Sequence, residues 1–491
     1  MKKMEFLITV AVILGICTIA TTVIINERQP IIEQVVEVQT VYQNVYVVNN
    51  DFSESELGIL YDVFMHLRSS HHFYSEADDL IRGAMEGMIS ATDDPWGRIW
   101  ATTEFDRMQT GNFQGLGIFS YEADGYFVIR SIMPDSPAEN YGLLAYDAIL
   151  LVDGVNPLKW SEFGEPGSIL GEVGSVAVLS IQRGDDILEM SVTRGALHSA
   201  GVVSEILEYN DQMIGYIRIS NWQSRTGDYF RDSFRELQAN EINGLVIDLR
   251  NNNGGLVDPV WELLSLFSPN TTHVLDFVES DGSRQEFRTT SLSARPGRVV
   301  VDVEGVILVN EVTASASEMF TIGMLEAGGW EVIGTTTFGK GTIQNSSFDF
   351  GGYMLWQTGT EVFGPTGTRI ERYGITPTIY VEPSDFASFQ PLHLGAGVVL
   401  SYDTVDDRTS RAQIILDLLG YEINRTDGYF DNSTVLALQS FQQNNGLTVT
   451  GNLNAETATT LSRLLLEKQQ NLLYDAQMLA ALRFLITGER Y

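Results

Sequence analysis

A serine and a lysine 25 residues apart are the residues of this chain whose types and spacing could do covalent chemistry. Ser315 lies in Thr313–Glu318, a segment of small and hydroxyl side chains that is typical of a turn into a helix. Lys340 lies between two glycines, and Gln344 follows it by four residues. A serine hydroxyl needs a base to attack a carbonyl, and a desolvated lysine amine can be that base. The spacing therefore predicts a serine–lysine peptidase.

Lys340 can act as a base only if its surroundings lower the pKa of its amine. An exposed lysine has a pKa of about 10.4 and is protonated at neutral pH. Burial disfavours the charged form, and Gly339 and Gly341 would let backbone pack closely around the lysine. The alternative is an ordinary surface lysine, but Lys340 lies in an otherwise uncharged run of the sequence.

Ser315 has an alternative role as the N-cap of the helix that follows it. Thr313 and Ser317 are equally suitable capping residues, so a hydroxyl at this place is not by itself a sign of catalysis. Ser317 is the residue most easily mistaken for the nucleophile, and we expect it to lie within the helix.

Acyl transfer also needs backbone N–H groups that point at the developing negative charge. The N–H of Ala316, at the predicted start of the helix, is one candidate. Gly254 or Gly255 is the other, because a glycine turn after a strand lets the backbone approach a ligand. The alternative for these glycines is an ordinary strand-to-helix turn.

The composition limits the partners that the chain can bind. Its 491 residues suggest three or four domains, and its formal net charge is −34 with a pI near 4.4. This charge argues against binding to nucleic acid or to an anionic lipid surface. It indicates a self-repelling, soluble surface, and adaptation to a salty environment is the alternative. Cys17 is the only cysteine, so an intrachain disulfide is excluded.

The amino-terminal run Phe6–Ile25 is about as long as a bilayer-spanning helix. Lys2 and Lys3 precede it and no basic cluster follows, which predicts an amino terminus in the cytoplasm. We therefore expect an uncleaved membrane anchor. A cleaved signal peptide and a lipidated Cys17 are the alternatives, but the residues around each site suit these modifications poorly.

Residues 110–195 show short strands and turns in the order of a PDZ domain. The loop Gln114–Phe119 precedes a strand, Asp135–Ala138 predicts a short helix, and Asp147–Gly154 predicts a further strand. This order resembles the PDZ family, in which such a loop binds a peptide's terminal carboxylate and the peptide adds as a strand. The resemblance assigns carboxylate binding to these loop residues: Gly115, Leu116, Gly117 and Ile118.

Residues 398–466 resemble the small three-helix peptidoglycan-binding domain. The resemblance depends on the segments Ala412–Tyr421, Gly428–Asp431 and Phe441–Leu453. It implies peptidoglycan as a candidate partner, although members of the family also use the fold as a spacer. Residues 467–491 follow as a terminal helix with apolar positions at helical spacing, which predicts a packing or dimer helix.

The region 51–385 resembles the carboxyl-terminal processing peptidases along its length. Besides Ser315 and Lys340, the matching motifs are Asp93–Trp96, Asp248–Gly255 and Tyr373–Pro377. The resemblance implies that Ser315 is the nucleophile and that Lys340 is the base and later the acid for the leaving amine. It also implies that Gln344 holds the lysine amine by hydrogen bonding.

Two positions depart from the pattern of that family. Many members have proline where this chain has Asn253, so the glycine turn that follows could be looser here. Many also have a basic residue where Leu170 stands. If that residue links peptide binding to assembly of the active site, this chain uses another contact.

The predicted fold is a multidomain α/β chain. An α/β peptidase core with a mainly parallel sheet carries an inserted, β-rich PDZ domain, a small three-helix wall-binding domain and an amino-terminal transmembrane helix. The predicted boundaries are 1–25 for the cytoplasmic tip and anchor, 26–50 for a stalk, 51–101 for a helical region, 102–195 for the PDZ domain, 196–390 for the peptidase core, 395–466 for the wall-binding domain and 467–491 for the terminal helix.

The combined prediction is an endopeptidase held in the cell membrane, with its catalytic part outside the cytoplasm. It would recognise free carboxyl termini of proteins, form an acyl-enzyme, use no cofactor or metal, and act as a homodimer. The alternatives are a non-catalytic PDZ and cell-wall scaffold, and a hydrolase of peptidoglycan itself. The six histidines show no metal-ligand spacing, and we expect Asp248 and Arg250 to form a structural ion pair.

Overall fold

The computed structural model describes residues 54–70, 76–101, 112–157, 167–198, 201–268, 271–289, 301–349, 352–471 and 474–490. The chain divides into two compact units, Met1–Ala77 and Asp78–Tyr491. The predicted anchor and stalk, residues 1–50, lie outside the described residues. Within the described ranges, no helix combines the length and the apolar character needed to cross a bilayer.

The first unit contributes helix α1, Glu54–Ser70. The apolar residues at helical spacing predicted this helix. Ile59, Leu60 and Val63 are 64%, 47% and 51% exposed. Helix α1 therefore shows large apolar side chains to solvent.

The second unit contains the remaining described elements. Its amino-terminal half comprises α2 (Ala77–Ser90), β1 (Arg98–Ala101), β2 (Asn112–Gly115), β3 (Ile118–Ala123), β4 (Tyr126–Ile132), α3 (Pro137–Asn140), β5 (Ala148–Val152), β6 (Val176–Arg183), β7 (Asp186–Thr193), β8 (Gly195–His198), β9 (Val202–Tyr209), β10 (Gln212–Ile219), α4 (Thr226–Ala239) and β11 (Gly244–Asp248). Its carboxyl-terminal half comprises α5 (Asp258–Phe267), β12 (His273–Glu279), β13 (Arg284–Arg288), β14 (Gly305–Val309), α6 (Ala316–Glu326), β15 (Glu331–Gly334), β16 (Thr342–Asp349), β17 (Tyr353–Phe363), β18 (Ile379–Tyr380), α7 (Asp385–Ser388), α8 (Asp407–Leu418), α9 (Asn432–Asn444), α10 (Ala455–Gln470) and α11 (Ala476–Thr487).

A six-stranded sheet in the order β18-β15-β14-β11-β10-β9 forms the centre of the unit. The strands from β10 to β18 pair in parallel, and β9 adds as an antiparallel edge. Every residue of β11 and β14 is buried, which is typical of parallel strands with continuous apolar runs. The largely parallel sheet predicted from the alternating strands and helices is confirmed, and its carboxyl edge is where loops can carry chemistry.

Helices cover both faces of this sheet. One face packs against α4, α5 and α6, with Phe230, Phe234 and Phe320 fully buried in that core. The opposite face packs against α11 through Met478 and Leu482. The terminal helix predicted over 467–491 is therefore divided. Residues up to Gln470 continue α10, and α11 completes the peptidase core.

The same unit contains a second sheet, which is antiparallel and has five strands. Its order is β1-β17-β12-β13, and β16 also pairs with β17. The pairing of β1 with β17 brings the segment before Arg98 next to Thr358. This arrangement matters for the active site, because β16 follows directly after Lys340.

The β-rich insertion is a five-stranded antiparallel sheet in the order β3-β4-β5-β6-β7. Its own core includes Leu116, Ile129 and Leu179. The short ladder between β2 and β8 closes the base of the insertion. Strand β3 is an edge of this sheet among the described strands, so its outer side is available for a further strand.

Helices α8, α9 and α10 form a small bundle around a separate core that contains Phe430, Phe441 and Leu461. Asp406, Asp431 and Asn454 cap the amino termini of the three helices with their side-chain oxygens. The bundle packs on the β-rich insertion, where Asp124 accepts hydrogen bonds from the His393 N–H and from Arg411.

Candidate active site

Ser315 lies at the turn between the parallel sheet and α6. It is the N-cap of α6, and its φ of 56° and ψ of −119° are unusual for a residue other than glycine. Such a backbone conformation costs about 1–3 kcal/mol and persists only where surrounding contacts hold it. Helix α6 begins at Ala316, so Ser315 caps the helix and also presents a partly exposed side chain at the carboxyl edge.

Ser317 is buried within α6, as expected, and its hydroxyl accepts a hydrogen bond of 2.9 Å from the Trp222 indole N–H. This contact occupies Ser317 in the core. Of the two serines in the segment, only Ser315 has a side chain that solvent reaches.

Glu318 connects the turn of Ser315 to the loop of Lys340. Its side chain is fully buried, and one carboxylate oxygen, Oε2, accepts the N–H of Ser315 at 2.9 Å and the N–H of Lys340 at 2.8 Å. The other oxygen accepts the Gly339 N–H at 2.7 Å and the Thr337 hydroxyl. Burial raises the pKa of Glu318, while these four hydrogen bonds oppose the rise.

Glu318 lies in the segment Thr313–Glu318, but none of the roles predicted above belongs to it. A serine followed three residues later by glutamate is the pattern of a capping box, in which the glutamate accepts the N–H of the N-cap residue. That signal could have identified the contact with Ser315. The contacts with Gly339 and Lys340 join distant parts of the chain, and no local pattern predicts them.

The glycines beside Lys340 let two loops pack together, which confirms their predicted role. A Cβ on Gly341 would lie 2.4 Å from the Glu371 N atom, and one on Gly339 would lie 2.9 Å from the Gly374 N atom. The Gly341 N–H also donates to Glu371 Oε2 at 2.9 Å. The loop of Lys340 is therefore fixed on the segment around Glu371 and Gly374, which overlaps the family motif Tyr373–Pro377.

The amine of Lys340 is half-buried, and its Nζ atom lies 4.6 Å from the centroid of the Trp96 ring. Burial lowers the pKa of Lys340, and the positive charge of Arg98 lowers it further against the opposing effect of nearby carboxylates. Within the described part of the chain, no hydrogen bond joins this amine to Ser315 or to Gln344.

Gln344 lies on β16, and its amide contacts hydroxyls. Its Nε2 atom donates to Thr342 Oγ1 and to Thr358 Oγ1, both at 3.3 Å. The Thr358 hydroxyl in turn donates to Asp94 at 2.9 Å. The backbone N–H groups of Ser315 and Lys340 thus share one carboxylate, that of Glu318. The Gln344 amide instead donates to threonine hydroxyls and does not contact the amine of Lys340 among the described residues.

The glycine turn after β11 packs directly against Ser315. A Cβ on Gly254 would lie 2.8 Å from Ser315 Cβ and 3.2 Å from the Ala316 N atom. The Gly254 N–H donates to Asn252 Oδ1 at 2.9 Å, so this donor is already used. Among the described residues, no acceptor meets the N–H of Gly255 or that of Ala316. The N–H groups of Gly255 and Ala316 are therefore the unused donors of this turn.

The loop of the β-rich insertion uses its carbonyl groups internally. Ala138 N donates to Leu116 O at 2.8 Å, and Met133 N donates to Gly117 O at 2.9 Å. No acceptor for the N–H of Leu116 or of Gly117 occurs in the described part of the chain. Gly117 has a φ of 80°, and a Cβ there would lie 2.4 Å from Ser136 Cβ, so this position requires glycine.

Asp248 and Arg250 form the structural ion pair that the sequence predicted. Arg250 Nη2 lies 2.6 Å from Asp248 Oδ2, and Arg250 Nη1 lies 2.7 Å from Asp475 Oδ2 at the start of α11. The pair therefore fastens the terminal helix to the sheet. No group of three or more histidine, cysteine, aspartate and glutamate residues suited to a metal ion occurs in the described ranges.

A strained serine at a strand-to-helix turn, a half-buried lysine and open backbone donors form the candidate active site, on an α/β fold. The sequence profile of peptidase family S41 matches residues 213–381, and that of the peptidoglycan-binding domain matches residues 406–461. The carboxy-terminal processing protease CtpB of Bacillus subtilis (strain 168) is 30% identical over 84% of this chain and 85% of its own. The chain belongs to peptidase family S41, the C-terminal processing proteases.

Two further proteins are similar to this chain. A probable CtpA-like serine protease of Staphylococcus aureus (strain COL) is 28% identical over 85% of this chain and 83% of its own. The solved photosystem II D1 C-terminal processing protease is 22% identical, covers 66% of this chain and 86% of its own, and has a TM-score of 0.42.

Proposed function

We propose that the chain is a membrane-anchored endopeptidase that binds the carboxyl termini of proteins and cleaves them by a serine–lysine mechanism. The observation that carries the proposal is the shared oxygen of Glu318. Because it accepts the N–H groups of both Ser315 and Lys340, it holds the two residues in one place although they lie on different loops. Acyl transfer needs a nucleophile and a base held close together, and Ser315 and the half-buried amine of Lys340 can supply them.

In the proposed reaction, the Ser315 hydroxyl attacks the peptide carbonyl while the neutral amine of Lys340 takes its proton. The N–H groups of Gly255 and Ala316 stabilise the oxyanion of the tetrahedral intermediate. The intermediate then expels the amine of the leaving peptide, which receives the proton from Lys340. Water hydrolyses the acyl-enzyme with Lys340 again as base, and the carboxyl product leaves.

The β-rich insertion is proposed to act as a PDZ domain. Two observations support this: the unused N–H groups of Leu116 and Gly117, and the free side of edge strand β3, which begins directly after them. A terminal carboxylate on the loop would place the preceding residues along β3 as an added strand.

The proposed location is the cell envelope. The peptidoglycan-binding domain supports contact with the wall, and the predicted membrane helix at Phe6–Ile25 supports anchoring. The apolar side chains that α1 exposes support self-association as a homodimer. A sedimentation measurement of the full-length chain in detergent tests the last point, and a monomer at all concentrations would contradict it.

The test of the catalytic proposal uses the full-length chain and an unfolded protein with an apolar carboxyl terminus. Wild type should cleave it, whereas Ser315→Ala and Lys340→Ala should not. Lys468→Ala, which removes a lysine of the helical bundle, should cleave like wild type. If Ser315→Ala still reacts with a fluorophosphonate probe as wild type does, Ser315 is not the nucleophile, and if wild type does not react, the scaffold alternative gains support.

The same assay has a predicted pH dependence. The pKa of Lys340 is lowered, so the amine becomes neutral at a lower pH than an exposed lysine does. Activity should rise with pH as this amine loses its proton. A flat profile from mildly acidic to alkaline pH would count against lysine as the base.

A further inference from the structure

Trp96 lies against the amine of the residue that the proposed function assigns as the base. The Nζ atom of Lys340 is 4.6 Å from the centroid of the Trp96 ring, within the distance at which an aromatic face attracts a cation. No side chain of the described residues accepts a hydrogen bond from this amine. We infer that Trp96 is the positioning residue of Lys340, whose ring face fixes the amine and keeps water from it. The inference rests on the proposed function.

The turn that carries Trp96 is fastened to the strand beside the active site. Asp94 Oδ1 accepts the Trp96 N–H at 3.0 Å, and Asp94 Oδ2 accepts the Thr358 N–H at 2.8 Å. The hydroxyl of Thr358 also receives the Gln344 amide. Gln344 therefore contacts the same threonine that holds the Trp96 turn in place. Trp96, and not Gln344, contacts the amine of Lys340.

The indole is held at this place by its packing and not by a hydrogen bond of its own. The Trp96 ring meets Phe338, two residues before Lys340, edge to face at a centroid distance of 5.9 Å. Its Nε1 atom is buried and has no acceptor among the described residues. A buried, unpaired N–H costs free energy, so another contact has to favour the position of the ring. The contact with the amine of Lys340 can favour this position of the ring.

An indole face has two opposite effects on a neighbouring amine. Its attraction for a cation favours the protonated form, and its exclusion of water favours the neutral form. The charged groups that act on Lys340 are Arg98, which disfavours protonation, and Glu371, Asp94 and Glu318, which favour it. Burial is the largest effect and lowers the pKa, so water exclusion is the effect of the ring that matters for catalysis.

The experiment measures fluorophosphonate inactivation of the full-length chain from about pH 5 to about pH 11, a range that includes the ordinary lysine pKa of about 10.4. The probe reports on Ser315 and its base without requiring a bound protein substrate. Trp96→Ala should move the rising limb of the profile up by about one pH unit, because water then reaches the amine. At neutral pH this shift means a roughly tenfold slower reaction.

Trp96→Phe keeps an aromatic face and should leave the rising limb within a few tenths of a pH unit of wild type. Trp261→Ala is the matched control, because it removes another partly buried indole, one that packs on Phe287. Its rising limb should stay where that of wild type is. Thermal unfolding of all three variants identifies any that fail to fold. If Trp96→Ala fails to fold, Trp96→Phe still tests the inference, because a large shift of its rising limb would contradict the expectation given above.

The remaining outcomes overturn the inference. A Trp96→Ala profile with its rising limb unchanged would show that the ring only fills space. A rising limb at lower pH with a faster reaction would show that the ring holds the protonated amine away from Ser315. Failure of the proposed function looks different, since wild type would then not react or Lys340→Ala would react like wild type.

Discussion

Two buried carboxylates lie at the same edge of the parallel sheet, but one pairs with a cation and the other accepts hydrogen bonds from neutral groups. Asp248, 2% exposed, ends β11 and pairs with Arg250, whereas Glu318, fully buried, lies in the first turn of α6 and meets only neutral donors. Burial by itself raises both pKa values. The charge of Arg250 outweighs it for Asp248, whose pKa is lowered, while Glu318 keeps a raised pKa.

The difference shows two ways in which the fold holds a buried carboxylate. An ion pair stabilises a buried charge and can fasten one element to another, as Arg250 does for α11 through Asp475. Backbone N–H donors leave the charge less stabilised but fix the loops that donate them. Glu318 thus holds Ser315 and Lys340 at a cost in folding free energy.

The largest expected effect breaks the ion pair. Arg250→Met leaves Asp248 buried without its cation and should lower the free energy of unfolding by about 3–5 kcal/mol, measured by chemical denaturation. Fluorophosphonate labelling of the folded protein should remain, because Arg250 contacts no catalytic residue.

Two further variants sharpen this result. Arg463→Met breaks an exposed pair with Glu467 and should change stability little. The double variant Asp248→Leu with Arg250→Met should recover part of the loss, because the fully buried unpaired charge of Asp248 is gone and only the partly exposed Asp475 lacks its partner. Equal stability of Arg250→Met and wild type would show that the pair does not fasten the helix.

The second effect acts on activity. Glu318→Gln replaces one carboxylate oxygen by an NH₂ group that cannot accept the N–H groups facing it. The two catalytic loops should separate, and kcat should fall by roughly 100-fold, equivalent to about 2.7 kcal/mol of activation free energy. KM should change little, because Glu318 contacts loops and not substrate.

The matched control for that variant is at the other end of the same helix. Glu326 accepts hydrogen bonds from Thr366 and Thr368, and Glu326→Gln should retain the wild-type kcat. A Glu318→Gln enzyme with the kcat of wild type would remove Glu318 from the proposed mechanism.

A smaller effect is a pH dependence of stability with opposite signs at the two sites. The lowered pKa of Asp248 contributes stability above its unfolded pKa of about 3.9, and this stability is lost as the pH falls through the folded value. The raised pKa of Glu318 contributes stability below its unfolded pKa of about 4.3, and this is lost as the pH rises through the folded value.

Chemical denaturation at neutral and acidic pH checks these signs. The destabilisation caused by Asp248→Asn should shrink as the pH falls. Wild type should gain stability relative to Glu318→Gln over the same change. If both differences move in the same direction, the two carboxylates are not in the contrasting environments described above.

The smallest expected effect concerns the neutral partner of Asp248. The Tyr216 hydroxyl donates to Asp248 at 2.9 Å, and Tyr216→Phe should lower the free energy of unfolding by about 0.5–1.5 kcal/mol. Tyr209→Phe, on the neighbouring strand, should have less effect. A loss in Tyr216→Phe as large as that in Arg250→Met would mean that the hydroxyl and not the cation stabilises the carboxylate.

Much of the fold could be predicted because its signals are local. A continuous apolar run predicted a buried strand over Gly244–Arg250, and Gly244–Asp248 forms it, since a parallel strand covered on both faces has no polar side. Helix ends were less predictable. Helix α6 begins at Ala316 because Glu318 accepts the Ser315 N–H, and a buried side chain that makes such a contact looks like any helix residue in the sequence.

The sequence by itself determined which residues can react and how far apart they lie in the chain: a serine before a helix and a lysine between glycines. It also determined that Asp248 and Arg250 would pair, because they are two positions apart at a strand end. Only the tertiary structure decided what surrounds the amine of Lys340. The Trp96 ring lies against the amine, and the charges of Glu318 and Glu371, which accept the backbone N–H groups of Lys340 and Gly341, act on it from other segments. Burial and charge at a point depend on which segments meet there.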